Sequence, residues 1–343
     1  MTTQKEIASR LGVSPSLVSR VLTGTADQIG VNEETIRRIR DVAAKLNYRP
    51  SAAALTLRGA PTKTLGVVVK DFDDPFFGHM IGELQRLAWA KQYSLVLTGY
   101  APDTDQPVDI ASLLKYQLDG LIVAGSDFAP EGLETFTVAG MRIVQIGTGQ
   151  RSSQIPRVVM DQEHGLKQLV GYLCELGHRD VGYIGTDTPS HVRREQIVRR
   201  TLRDYGLAVR PNGFVCVPSG DLGTGYEAMR RLLQQCGQLL PTAVVAADDV
   251  IAQAALRALF ERRIAVPVEI SLAGIDDIPA AALTIPALTT LRQPIKEMIH
   301  EAFQFLTGEG AKSKARGGTE IVVKPELVVR ESCAAPRARK VMG

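Results

Sequence analysis

The chain holds 343 residues with a formal net charge of +3, 45% of them hydrophobic and 22% charged. That exceeds one ordinary domain, and no apolar run is long enough to span a bilayer. The N-terminus lacks the charged-then-apolar pattern of an export signal, so the expectation is a cytoplasmic protein.

In chain order, Thr3 followed by Glu6 reads as a capping box that starts a helix near Gln4. Ile7, Ala8 and Leu11 share one face, and Gly12 can take the left-handed conformation that ends it. Ser14 is a natural N-cap with Pro15 at the first helical position, giving a second helix from Pro15 to Leu22 with Val18 and Val21 inward. The loop 23–31 leads to a third amphipathic segment that starts at Asn32. It turns Ile36, Ile39, Ala43 and Leu46 inward and Arg37, Arg38, Arg40 and Lys45 outward. A compact helical hairpin without a DNA role would show the same spacing. Charge separates the two readings: residues 1–60 carry nine Lys or Arg against five Asp or Glu, an excess of four, so the remainder of the chain sums to −1. The basic excess sits where phosphate binding needs it.

Residues 50–61 form the next segment, in which Ser51 can cap a helix through Leu57 before Gly59 and Pro61 stop it. Such a helix is too short to stand alone in water and must be ordered by a partner or be a plain linker. The body then alternates apolar strand-like runs with amphipathic helices. LGVVV, a helix over 76–92, SLVLT, a helix over 106–117, LIVAG and IVQIG make one series. VVM at 158, a helix over 162–176, VGYIG, a helix over 191–205, FVCV, a helix over 225–236, AVVAA, a helix over 249–262 and SLAGI make another. Repeated β-α units predict parallel sheets covered on both faces, and two series predict two α/β lobes.

VSPSLVSRVL, RIRDVAAKLNYRPSAAALTLR, DPFF, DGLIV, LGHRDVGYIG, PTAVVAADDVIA, ISLAGIDD and PALTTLRQP follow one another in an order that resembles the lactose/galactose-repressor (LacI/GalR) family of bacterial regulators across almost the whole chain. The resemblance implies a helix-turn-helix headpiece over residues 1–49, a hinge over 50–61 and a periplasmic-binding-protein-like body over 62–343. The body's lobes would be 62–160 with 291–322, and 161–290 with 323–343. It implies a homodimeric repressor on a near-palindromic double-stranded operator, controlled by a small metabolite such as a sugar. Dimer is preferred to tetramer, because the tail after Arg330 lacks leucine heptads. The implied DNA-binding residues are Thr3, Lys5, Ser14, Pro15, Ser16, Ser19, Arg20, Asn32, Tyr48, Ala54 and Leu57, with Leu57 wedged in the minor groove. Arg20 can pair with guanine or hold a phosphate. The implied effector residues are Asp74, Phe76, Phe77, Ser126, Arg194, Asp248, Asp276 and Gln293, at strand ends where open α/β sheets bind ligands. Phe76 and Phe77 also fit a helix-start core, and Asp248 also fits a helix cap.

Enzyme readings find no support in the motifs. GTG at 147–149 and GDLGTG at 220–225 match neither a dinucleotide fingerprint nor a P-loop, and His79, His164, His178, His191 and His300 form no ligand pair of HExxH type. Cysteines 174, 216, 236 and 333 show neither CxxC nor metal spacing, so reduced thiols, no metal and no cofactor are expected. The rival from another class is a solute receptor with no DNA-binding role.

Overall fold

A computed structural model of the chain describes residues 3–22, 26, 30–48, 61–99, 113, 115–125, 133, 137, 140–148, 152, 154–220, 223–308 and 318–337. The chain divides into two compact units, Met1–Lys63 and Thr64–Gly343. The first contains α1 (Gln4–Leu11), α2 (Pro15–Leu22) and α3 (Glu33–Lys45), and each helix starts where a side chain can satisfy its unpaired amides. Thr3 Oγ1 accepts from the Glu6 amide at 3.2 Å and Ser14 Oγ from the Leu17 amide at 3.2 Å. Asn32 Oδ1 accepts from Glu34 and Thr35 at 2.6 and 3.2 Å. The capping box departs from expectation in one respect. The Glu6 carboxylate takes the Arg10 guanidinium at 3.1 Å, one helical turn ahead, where an i,i+4 pair is geometrically at hand. Gly12 at φ 66° closes α1. Ile7, Ala8, Val18, Val21, Ile39 and Ala43 are buried together, with Leu11, Ile36 and Leu46 partly covered around them.

The second unit is two lobes, each built on a six-stranded sheet. The first sheet contains β1 (Thr64–Val69), β2 (Ser94–Gly99), β3 (Gly120–Ala124), β4 (Ile143–Ile146), β5 (Arg157–Met160) and β11 (Glu320–Val323), in the order β11-β5-β4-β3-β1-β2, all parallel. The second contains β6 (Val181–Thr186), β7 (Phe214–Val217), β8 (Ala243–Ala246), β9 (Ser271–Asp276), β10 (Thr289–Arg292) and β12 (Glu326–Val328), in the order β12-β10-β9-β8-β6-β7. β12 runs antiparallel to β10, which the repeating units did not announce. Only two residues join β11 to β12, so no helix can reverse the chain for a parallel approach.

Helices α4 (Pro75–Ala90), α5 (Gln162–Glu175), α6 (Pro189–Asp204), α7 (Thr224–Cys236), α8 (Asp249–Glu261) and α9 (Ile295–Thr307) complete the unit. The helix expected over 106–117 lies almost wholly outside the described residues. α4 and α9 cover one face of the first sheet, closing Phe77, Met80, Met298 and Phe303 over Leu65, Val67 and Ile122. α7 and α8 cover one face of the second, with Met229, Leu232, Ala252 and Leu259 over Val244 and Leu272. The chain crosses between lobes at Asp161, at Gln293–Pro294 and at Lys324–Pro325. β10 holds it in the second lobe to Arg292, two residues beyond the crossing expected near 290.

One close approach depends on glycine. A Cβ at Gly225, in the first turn of α7, would lie 2.7 Å from the Ile251 Cα of α8, and backbone cannot give way as a side-chain tip can. Gly225→Ala should therefore push the two helices apart at a cost of about 1–3 kcal/mol, seen as a lower thermal midpoint of the body. An unchanged midpoint would show that the pair separates freely.

Candidate functional site

In the headpiece α2 sorts its residues by face. Val18, Ser19 and Val21 are buried, while Pro15, Ser16 and Arg20 are exposed on the other side of a helix that carries no acidic residue. Thr3, Lys5, Ser14 and Asn32 are also exposed, and Thr3, Ser14 and Asn32 serve as caps. Ser14 Oγ lies 3.1 Å from Ser16 Oγ, so the two hydroxyls move as a pair. Tyr48 packs half-buried against the headpiece core, and its amide donates to the Ala43 carbonyl at 2.9 Å. Ser19 is 3% exposed and has almost no surface to offer DNA. Ala54 and Leu57 lie outside the described residues, as does Ser126 of the body.

In the body the strand ends of both sheets meet at one cleft. β1, β3, β4 and β5 end at Val69, Ala124, Ile146 and Met160, and β6, β9 and β10 end at Thr186, Asp276 and Arg292. Asp74, Phe76, Phe77, Arg194, Asp248, Asp276 and Gln293 all line this cleft, a cavity of about 110 Å³. Phe77 is buried in the first lobe's core, whereas Phe76, packed edge-on to it at 5.3 Å, touches the cores of both lobes. The core and cleft readings of these two rings are therefore compatible.

Asp276 is held by backbone strain and a clamp. It sits at φ 117° and Asp277 at φ 54°, conformations that favour glycine and cost about 1–3 kcal/mol each for other residues. The turn is held from three sides. Arg292 Nε and Arg330 Nη2 donate to the Asp277 carboxylate at 2.7 and 2.5 Å, and the Ile278 amide donates to Asp249 Oδ2 at 2.9 Å. Thr290 Oγ1 donates to Asp249 Oδ1 at 2.5 Å. A Cβ at Gly274 would run into that carboxylate and stand 3.0 Å from Leu288 Cδ2, which is why the strand before the turn carries glycine there.

So fixed, Asp276 Oδ1 accepts from Gln293 Nε2 at 2.6 Å and lies 3.7 Å from Arg194 Nη2. Burial drives its carboxyl well above the usual range, with Arg194 pulling the other way and Asp248 and Asp249 adding to the rise. Arg194 Nη1 donates to the Ala247 carbonyl at 2.5 Å, while its buried Nε finds no partner among the described residues. Asp74 caps α4 by accepting the Phe76 amide at 2.9 Å, and burial pushes its carboxyl up to about 6 despite that bond.

Asp248 is the helix cap that the sequence offered as one of its two readings, it lines the cleft as well, and it has a partner that the sequence did not announce. Its Oδ1 caps α8 by accepting the Ile251 amide at 2.7 Å, and its Oδ2 lies 3.0 Å from His191 Nε2. The Thr186 amide donates to His191 Nδ1 at 3.2 Å, which leaves Nε2 as the donor toward Asp248. Burial pushes the Asp248 carboxyl up, but the hydrogen bond from His191, with that from the Ile251 amide and the charge of Arg194, outweighs it and holds the group below its ordinary value. His191, Ser190, Lys70, Thr148 and Gln162 also line the cleft and escaped the sequence reading. His191 meets its partner 57 positions away, and no local spacing signals that pair. Among the described residues no group of three or more His, Cys, Asp or Glu could hold a metal ion, and no helix is long and apolar enough to cross a membrane.

Residues 3–51 match the family described as bacterial regulatory proteins, lacI family, and residues 170–333 match a periplasmic binding protein-like domain. The chain is 32% identical over 341 residues to the HTH-type transcriptional repressor PurR of Pectobacterium carotovorum subsp. carotovorum (strain PC1), covering 97% of each chain. Among solved structures, the Lac repressor dimer bound to operator and the anti-inducer ONPF superposes with a TM-score of 0.82 at 21% identity, covering 97% of this chain and 99% of that one. A complex of the transcriptional regulator CelR with cellobiose superposes with a TM-score of 0.69 at 25% identity, covering 97% and 100%.

Proposed function

The chain belongs to the lacI family of bacterial regulatory proteins, a DNA-binding transcription regulator answering to a small molecule, and from that premise we propose that it is a repressor whose cleft takes a hydroxyl-rich, sugar-like effector. The observation that carries the effector reading is Asp276. Its carboxylate is buried, clamped in a strained turn and oriented through Oδ1 by Gln293 and Arg194, so an incoming molecule would be offered the second oxygen. A carboxylate preset in this way can accept hydroxyl hydrogen bonds without reorganising. Phe76 supplies an apolar face beside it, as a sugar ring requires. The CelR structure was solved with cellobiose, which supports the class. A thermal-shift screen of the full chain against sugars and nucleobases tests it, since selective binding raises the midpoint by mass action. Shifts from nucleobases alone would reject the sugar reading.

In the headpiece, α2 is the element proposed to enter the major groove, with Pro15, Ser16 and Arg20 on its exposed face. Arg20→Ala should remove the readout of one base pair at a cost of roughly 1–3 kcal/mol, visible as relaxed preference at one symmetric position when sites are selected from random duplex DNA. A uniform loss over all sequences would reassign Arg20 to a phosphate.

A homodimer belongs to the same reading. The Lac repressor was solved as a dimer on its operator, which supports it. Sedimentation of the purified chain measures it directly. An operator-binding regulator must meet the chromosome, which supports a cytoplasmic location, and the named function of its relative is repression.

A further inference from the structure

We propose that Gln162 is a further effector-binding residue, whose side-chain carbonyl accepts a hydrogen bond from a hydroxyl or N–H on the bound molecule. The proposal rests on the effector reading of the cleft. Gln162 opens α5 directly after the chain leaves the first sheet at Met160 and crosses at Asp161. Its Nε2 donates to Thr148 Oγ1 at 3.3 Å, in the loop after β4 of the other lobe. The residue is only 6% exposed, lines the cleft, and its Oε1 has no hydrogen-bond partner among the described residues. Turning the amide over would give Thr148 the oxygen and strand the nitrogen in its place, so one polar atom stays unpaired in either orientation.

A buried amide oxygen without a partner destabilises the protein that carries it, and native structures contain few such groups. Packing supplies no reason for it, since methionine would fill nearly the same volume without a polar atom. The strand end beside Thr148 is closely packed. Gly147 takes φ 123° and stands so close to Gly125 that a Cβ there would be 3.2 Å from the Gly125 carbonyl oxygen. Gln162 thus ties a crossover to a closely packed strand end of the opposite lobe and keeps one acceptor uncommitted in the wall of the cleft. A molecule that bonds to it bears on both lobes at once.

The test uses the full-length native chain, Gln162→Met and Asp276→Asn, with D-ribose and cellobiose as hydroxyl donors and adenine and uracil as N–H donors, read by thermal scanning and titration calorimetry. One class of probe should raise the native midpoint, and Gln162→Met should bind that probe about tenfold more weakly or worse. Unliganded Gln162→Met should melt at or above the native midpoint, because an unpaired group has been removed. Undiminished binding by Gln162→Met, with binding lost in Asp276→Asn, would overturn the role of Gln162 and leave the cleft reading standing. An unliganded Gln162→Met chain that melts several degrees lower, or fails to fold, would make the residue structural. If no probe shifts the native chain, or both variants respond as the native chain does, the cleft reading itself fails and this role falls with it.

Discussion

Asp276→Asn should weaken effector binding by about 1.5–3 kcal/mol, roughly ten- to a hundredfold, because hydrogen bonds to a charged acceptor are the strong ones and the amide replaces one acceptor oxygen with a donor. Operator affinity without effector should stay within experimental error, since the substituted residue lies in the body unit and the headpiece is a separate unit. Binding should also acquire a pH signature. Burial raises the Asp276 carboxyl above the ordinary carboxylate range, and its second oxygen accepts a hydroxyl fully only when it carries no proton. Effector binding then releases a proton, so native affinity rises with pH through the region where the empty cleft titrates, and the Asn variant is flat by comparison. Parallel pH curves for the two chains would remove Asp276 from the effector contact.

Asp249→Ala should be the most damaging single change to stability in the second lobe. The residue is fully buried and is the partner of both the Ile278 amide and the Thr290 hydroxyl, so truncation strands two buried donors at about 1–3 kcal/mol each. Asp249→Asn can keep both contacts, its oxygen for the amide and its nitrogen for the hydroxyl, and separates the hydrogen bonds from the charge. Burial pushes the Asp249 carboxyl up to about 7 from its ordinary 3.8. Between those values the folded protein keeps a proton that the unfolded chain has released. The contribution of this group is therefore complete below about pH 4 and is lost as pH rises through about 7. Thermal midpoints of the native chain should fall relative to Asp249→Asn over that window. Asp74, raised to about 6, works in the same direction and is present in both chains. A difference that is independent of pH would mean that Asp249 stays ionised in the fold.

The headpiece was legible almost to the residue because its boundaries are written locally. Thr3, the Ser14-Pro15 pair and Asn32 each satisfy amides within three positions, and Gly12 supplies the left-handed turn. The lobes were legible as two series because fully buried runs such as Leu65–Val69 and Gly120–Ala124 interrupt amphipathic helices. Long-range geometry was not legible. Nothing near Asp248 announces His191, nothing near Gln162 announces Thr148, and the antiparallel β12 depends on where the chain re-enters the second sheet. Ser19 shows the opposite failure. The family resemblance implied a DNA contact there, whereas a helix turns by about 100° per residue and carries Ser19 into the core, away from Arg20.

On the ribosome the first lobe must wait. β1 to β5 emerge early, yet α9, which helps close that sheet's apolar face over Leu65, Val67 and Ile122, and β11, which completes its edge, follow only after β6 to β10 have been made. The second lobe waits too, since β12 and the buried Ser332 and Cys333 come last of all. A nascent chain that has reached Arg292 therefore holds a complete three-helix headpiece and two open sheets, the kind of exposed intermediate that nascent-chain chaperones cover. A nonsense codon just beyond Arg292 would undo both lobes together and spare the headpiece. The released fragment would keep a basic DNA-contacting module with no sensor attached to it.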